Sequence, residues 1–180
     1  GLYYEIPHPD PDCRRLEGEL DPLMRSSMPE TSRFHGKIHP YVTRAEPIMV
    51  EALKEAAGEL GIEVRAGLTV SAPGFSAPQG RAISRVKASL PEIDQVFSDF
   101  DPRLEGERVE NMEMEASFLL HFLGGLGYWA GAICPAIANR RNDTFDSQYQ
   151  QAIANATTIA LLALAKTRKN YPDTHFARRE

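Results

Sequence analysis

Three short segments of the chain concentrate the side chains able to do chemistry. The first, residues 71–81, places the ring of Phe75, the amide of Gln79 and the guanidinium of Arg81 on one loop shaped by Pro73, Gly74, Pro78 and Gly80. A glutamine carries one acceptor and two donors and can pair with the O–C–N–H edge of a pyrimidine. An arginine fork can hold a carbonyl oxygen and stabilise negative charge on it, and Phe75 offers an apolar face to a flat ring. The second, residues 111–116, alternates the thioethers of Met112 and Met114 with the carboxylates of Glu113 and Glu115. If the segment is extended, that alternation puts the two glutamates on one side and the two methionines on the other. A carboxylate there can accept from two vicinal sugar hydroxyls, and a methionine can pack on the sugar ring. The third, residues 136–143, ends a small apolar run in Arg140 and Arg141, and Arg140 can reach inward.

Each segment also has a plainer reading, and on spacing alone the plainer reading prevails. The first is then a surface loop with a solvated arginine. The second is a helix start whose glutamates complement the macrodipole, and the third is solvated charge at a strand end. His35 and His39 stand four residues apart, with no helix to align them and no third ligand nearby, so they read as a polar loop rather than a metal site. His121 lies in an apolar helix and reads as a satisfied, partly buried histidine. No Walker A or G-x-G-x-x-G sequence occurs, and spacing supports no Ser-His-Asp or Cys-His arrangement.

The elements that must position these segments can be read from the hydrophobic pattern. Prolines at 7, 9, 11, 22, 29 and 40 are expected to keep residues 1–42 an irregular, proline-rich connection with at most a short helix. Thr43 to Glu46 has the form of a capping box, so a helix is expected from Thr43, with Met49, Leu53, Ala56 and Leu60 on one face and Gly61 as its stop. Val64, Ala66, Leu68 and Val70 alternate with Arg65, Gly67 and Thr69, as a strand does. A turn-rich stretch, a short helix near Pro91 to Phe100 and a short strand from Val109 to Met112 come next. A helix from about Glu115 to Leu126 is then expected to face Phe118, Leu119, Phe122 and Leu126 inward. Ala130 to Ala138 has the small apolar character of a buried strand. A last helix is expected from about Asp146 to Lys169, with Ile153, Ala156, Ala160 and Leu164 on one side. Residues 170–180 form a tail. Strands alternating with helices indicate an α/β fold with a central mixed, mainly parallel sheet flanked by helices. In such sheets ligands gather at the carboxyl ends of strands, where all three chemical segments fall.

Composition bounds the rest. The chain has 180 residues, 42% of them hydrophobic and 25% charged, which is the balance of an ordinary globular protein with a sizeable core. A formal net charge of −5 argues against a nucleic-acid groove, and no apolar run reaches the ~18 residues that a membrane span needs. Nucleic acid and membrane are therefore not expected partners. The two cysteines, Cys13 and Cys134, stand in no C-x-x-C or metal spacing and read as reduced thiols, in keeping with a cytoplasmic location. Gly1 to Tyr4 has no signal-peptide character and reads like the middle of a strand, as expected of a chain that begins partway through a larger parent.

In order and spacing the three segments resemble the uridine phosphorylase branch of the nucleoside phosphorylase family. Phe75 to Arg81 resembles that branch's F-x-x-x-Q-x-R base-binding loop. Asn111 to Ala116 looks like its N-x-E-M-E-[SA] ribose motif, and residues 130–140 are similar to its strand ending in N-R. The match runs over roughly residues 43–169, which would make them the base- and ribose-binding part of a single α/β domain. The E-M-E motif alone is shared across the wider family, whereas its combination with Q-x-R is much more specific.

The resemblance implies a nucleoside phosphorylase-like fold and phosphorolysis of a pyrimidine ribonucleoside, with inorganic phosphate as co-substrate and no cofactor or metal. It implies that Gln79 and Arg81 bind the uracil edge and that Phe75 lines the base pocket. It also implies that Glu115 holds the ribose hydroxyls, Met114 packs on the sugar, Glu113 supports the site and Arg140 organises Arg81. Arg81 and Glu115 are the expected catalytic pair. Purine-cleaving relatives carry an aspartate where this chain reads Ala138-Asn139-Arg140, which favours a pyrimidine over a purine or methylthioadenosine-type substrate. Family members have an amino-terminal half with a glycine-rich loop and phosphate-binding arginines. Gly1 to Tyr4 resembles the strand just after that half, so the fold is expected to be incomplete at its N-terminus. The alternatives are then a non-catalytic nucleoside-binding module or an inactive fragment. The family assembles as oligomers, which implies a homo-oligomer.

Overall fold

A computed structural model describes residues 10–28, 40–83, 85, 87, 88, 90–100 and 108–172. His35, Gly36, His39, the opening Gly1 to Tyr4 and the tail beyond residue 172 lie outside the described residues. In chain order the elements are α1 (Pro11–Ser27), α2 (Pro47–Glu59), β1 (Leu68–Ser71), a 3₁₀ turn (Ala77–Gln79), α3 (Ile93–Asp99), β2 (Val109–Glu113), α4 (Ala116–Gly125), β3 (Ala138–Asn139), β4 (Thr144–Phe145) and α5 (Tyr149–Asn170). They form an α/β arrangement of two compact units, Gly1–Arg44 with Ala72–Val109 and Ala45–Ser71 with Glu110–Glu180.

In the first unit, α1 corrects the expectation that its prolines exclude a long helix. Pro11 occupies the first turn, where its missing N–H costs nothing. Asp10 caps the helix, its Oδ1 accepting from the backbone N–H of Asp12 at 2.8 Å and of Cys13 at 3.4 Å. Pro22 does sit inside the helix, at a cost of about 3 kcal/mol. That cost is offset by the cap, by burial of Cys13 and Leu16, and by the Arg15–Glu19 and Arg25–Asp21 pairs at 2.6 and 2.7 Å. Residues 40–44 are strapped to the helix by Arg44, which pairs with Asp10 at 2.9 Å and Asp12 at 3.4 Å, and by the Val42 N–H on the Glu17 carboxylate at 2.7 Å. Helix α3 packs on α1 and buries Ile93 and Phe97.

In the second unit, α2 starts at Pro47 rather than at Thr43. A residue before proline is pushed out of the helical region, and Glu46 is accordingly extended at φ −63°, ψ 124°. The expected capping box therefore does not form: Glu46 makes no side-chain cap, and the buried Thr43 hydroxyl has no hydrogen-bond partner among the described residues. The helix stops where expected, at Gly61 with φ +66°. The Ile62 N–H returns to the Ala57 carbonyl at 2.9 Å and the Gly61 N–H to Gly58 at 3.1 Å, the paired bonds of a Schellman cap.

Helix α5 packs on α2 around Ala52, Ala56, Ala57, Ile159 and Ala163, with Leu53, Ile62, Ile133 and Leu162 at the margin. Alanines at the contact let the two backbones approach closely, and Lys166 ties the pair by bridging Glu55 at 3.3 Å and Glu59. The buried line of α5 is Ile159, Ala163 and Thr167, whereas Ile153 and Leu164, read as sharing one apolar side, are exposed. Apolar residues occur all round α5 from position 159 to 164, so periodicity does not choose a face and the meeting with α2 does.

Strands β1 and β2 pair. The Thr69 hydroxyl donates to Asn111 and the Ser71 hydroxyl to Glu113, both across 42 positions. A constant offset is the register of a parallel pair. With that offset Val109, the first residue of β2, stands beside Gly67. Residues 64–66, expected to open the strand, lie outside it, and Val64 is exposed. Two further expectations fail. Phe118, Leu119, Phe122 and Leu126 on and just past α4 are 61, 49, 51 and 51% exposed rather than inward-facing. Residues 131–137 are not a buried strand: only Ala138–Asn139 is extended, pairing antiparallel with Thr144–Phe145. A buried strand needs ladder partners, and the sheet beside β2 contains just β1 among the described residues.

Candidate functional site

The loop after β1 brings Phe75 and Arg81 together. Pro73 to Ser76 turn the chain, and the 3₁₀ turn Ala77–Gln79 follows. The Ser76 carbonyl accepts from both the Gln79 N–H at 3.1 Å and the Arg81 N–H at 3.0 Å, which fixes the backbone of both residues to one point. Between them Gly80 adopts φ +74°, with the Leu90 and Pro91 carbonyls so near that a Cβ would fall within 3.1 and 2.9 Å of them. The Arg81 guanidinium lies 4.0 Å from the centre of the Phe75 ring, a cation–π contact. Phe75 itself is exposed, whereas Gln79 is 5% exposed and already engaged by a neighbour. The Arg81 Nε–H is buried without a hydrogen-bond partner among the described residues. An unmet buried donor is unfavourable by about 1–3 kcal/mol, so this group is ready for an acceptor.

The second group stands at the junction of β2 and α4. Glu113 is the last residue of the strand, and Met114 and Glu115 form a bend before the helix. The expected alternation therefore ends at Glu113. Its carboxylate is turned back on the chain, with Oε2 accepting from the N–H groups of Glu115 and Ala116 at 2.6 Å each, and Oε1 accepting from the Ser71 hydroxyl. The Ser71 oxygen in turn accepts from the Ser117 N–H at 2.9 Å. These N–H groups open a helix and have no intrahelical acceptor. These bonds are those of the plainer helix-start reading of Glu113. Met114 and Glu115 are exposed, and the Glu115 carboxylate makes no hydrogen bond among the described residues.

Cys134 lies beside this turn. Cys134 is exposed as a residue, but desolvation of its sulfur raises the thiol pKa, the Glu113 and Glu115 charges add to the rise, and a hydrogen bond from Asn111 opposes it. Asn111 also accepts from Thr69 at 2.8 Å. Arg140 stands in the turn between β3 and β4, half-buried and engaged by a neighbour. The sequence reading gave no role to Ser71, Thr69 or Cys134. The signal available for the first two was the alternation that places Thr69 and Ser71 on one face of β1. No group of three metal-binding side chains, and no helix long and apolar enough to cross a membrane, occurs among the described residues.

A model of the phosphorylase superfamily matches residues 15–166, most of the chain and all of the candidate residues. The chain belongs to the phosphorylase superfamily. It is 30% identical over 143 residues to a uridine phosphorylase of Thermococcus kodakarensis, a match that covers 74% of this chain and 48% of that protein. The chain thus spans about half the length of this phosphorylase relative. No solved structure matches it. Membership accounts for the α/β arrangement. In this superfamily member the three chemical segments fall on one loop, one strand–helix junction and one hairpin.

Proposed function

We propose that this chain carries the base- and ribose-binding part of a nucleoside phosphorylase acting on a pyrimidine ribonucleoside, converting uridine and phosphate to uracil and ribose 1-phosphate. The observation that carries the reading is the Arg81 guanidinium held over the Phe75 ring on a loop whose backbone is fixed at Gln79 and Arg81. In phosphorolysis the bond from the sugar's C1′ to the base nitrogen breaks, and its electron pair leaves with the base. A phosphate oxygen bonds to C1′, and the proton that phosphate gives up is taken by the base. Charge builds on the base and on the sugar ring only as the bond breaks. Arg81, with a buried donor unmet, stabilises the anionic base more in the transition state than in the ground state. Glu115 accepts from the ribose hydroxyls and favours the cationic ring, and Met114 packs on the sugar. Glu113 holds the turn that presents them, Gln79 reads the base edge, and Arg140 braces the base end.

Ala138-Asn139-Arg140, running from β3 into the hairpin turn, offer no acid for a purine N7, which supports a pyrimidine. The identity to a uridine phosphorylase points the same way. The test is phosphate-dependent release of uracil from uridine, with inosine and an Arg81→Ala variant alongside. Uracil release that needs phosphate and is lost in the variant is the expected result. Hypoxanthine from inosine with no uracil from uridine would overturn the pyrimidine assignment. Uridine binding with no phosphate-dependent turnover would make the chain a nucleoside-binding module instead.

A further inference from the structure

We propose that Ser71 is a positioning residue for the sugar-binding turn, a role that rests on the nucleoside reading above. Its hydroxyl donates to Oε1 of Glu113 and accepts from the Ser117 N–H at 2.9 Å. Oε2 of Glu113 accepts from Glu115 and Ala116 at 2.6 Å. Two side chains from neighbouring parallel strands therefore take three consecutive backbone N–H groups at the entry to α4. Glu115, the residue at the helix N-cap, supplies no side-chain cap of its own, so this relay is the local source of order.

The consequence falls on Met114 and Glu115. Both project from the bend that the Glu113 carboxylate closes, and neither side chain is tied down by a hydrogen bond of its own among the described residues. Their placement is set by the backbone, the backbone by Glu113, and one oxygen of Glu113 by Ser71. Removing the Ser71 hydroxyl takes the donor from Oε1 and the Ser71 acceptor from Ser117, and leaves the carboxylate held through Oε2 alone. Uracil, which has no sugar, does not depend on this turn, whereas uridine does.

The test compares Ser71→Ala and Ser71→Thr with the unaltered protein. Amide hydrogen exchange is read at Glu115, Ala116 and Ser117, and uridine and uracil binding is read by calorimetry. In Ser71→Ala the three amides should exchange roughly tenfold faster or more, the worth of one charge-assisted hydrogen bond, with α2 and α5 unchanged. Uridine binding should weaken while uracil binding holds. Ser71→Thr, which keeps the hydroxyl, should restore both. Unchanged exchange in Ser71→Ala, or equal weakening of uridine and uracil, overturns the proposal. If the unaltered protein binds neither compound, the nucleoside reading fails, and the amide pattern alone upholds or overturns the role of Ser71 in setting the turn.

Discussion

Replacing Gly80 by alanine separates the two costs that hold the Phe75–Arg81 loop in shape. The residue is left-handed at φ +74°, and a Cβ built there meets Ile93 Cγ2 at 2.8 Å, the Pro91 carbonyl oxygen at 2.9 Å and the Leu90 carbonyl oxygen at 3.1 Å. The left-handed conformation alone costs an alanine about 1–2 kcal/mol. Two of the three close atoms are backbone, which cannot swing aside as a side-chain tip does, so overpacking adds about 1–3 kcal/mol. The expected loss is therefore about 2–5 kcal/mol. Two other glycines supply the controls. Gly61 has φ +66° with nothing near its Cβ position, so Gly61→Ala carries only the conformational cost. Gly58 lies within α2 with open space and no positive φ, so Gly58→Ala should stabilise by about 0.5–1 kcal/mol. Urea denaturation of the three variants, followed by circular dichroism, gives the order Gly58→Ala above the unaltered protein, then Gly61→Ala, then Gly80→Ala. A Gly80→Ala variant no less stable than Gly61→Ala would refute the argument that the Leu90–Pro91 carbonyls clamp this loop.

Three further outcomes are expected. Ile159→Ala opens a cavity at the contact of α5 with α2, where Ile159 is buried among Ala52, Ala56, Ala57 and Ala163, and should cost about 2–5 kcal/mol in the same denaturation assay. Burial, reinforced by Asp10 against the opposing pull of Arg44, pushes the Cys13 thiol up from 9.0 to about 11. The unfolded thiol ionises first, so stability present below pH 9 is lost as the pH rises toward 11, by roughly 2–3 kcal/mol at full titration. A Cys13→Ala variant should show a shallower loss over that interval, and an identical slope would dismiss the contribution. The third concerns Phe118, Leu119, Phe122 and Leu126, four large apolar side chains exposed close together in sequence on and just past α4, a pattern that interaction surfaces share. Sedimentation should show self-association that a Phe118→Ser, Phe122→Ser variant reverses, and a monomer at all concentrations would count against an oligomer through this face.

The sequence by itself determined the local stops and turns. Gly61 ends α2 because only a residue without Cβ takes φ +66° freely. Pro73, Gly74, Pro78 and Gly80 turn the loop that carries Phe75 and Arg81, because their backbone preferences hold in any surroundings. The same local rule, applied one step further, would have moved the start of α2 to Pro47, since Glu46 precedes a proline. What the tertiary structure decided is wherever two local tendencies compete or a partner is required. The Asp10 cap and the packing of Cys13 and Leu16 carry α1 through Pro22, although the proline alone argues for a break. Which apolar face of α5 is buried was fixed by the alanines of α2, and which residues of 64–71 are strand was fixed by where β2 begins. The relay from Ser71 through Glu113 to the N–H groups of Glu115 and Ala116 joins residues 42 positions apart. No period or spacing could show that junction, because it exists only once the two strands lie side by side.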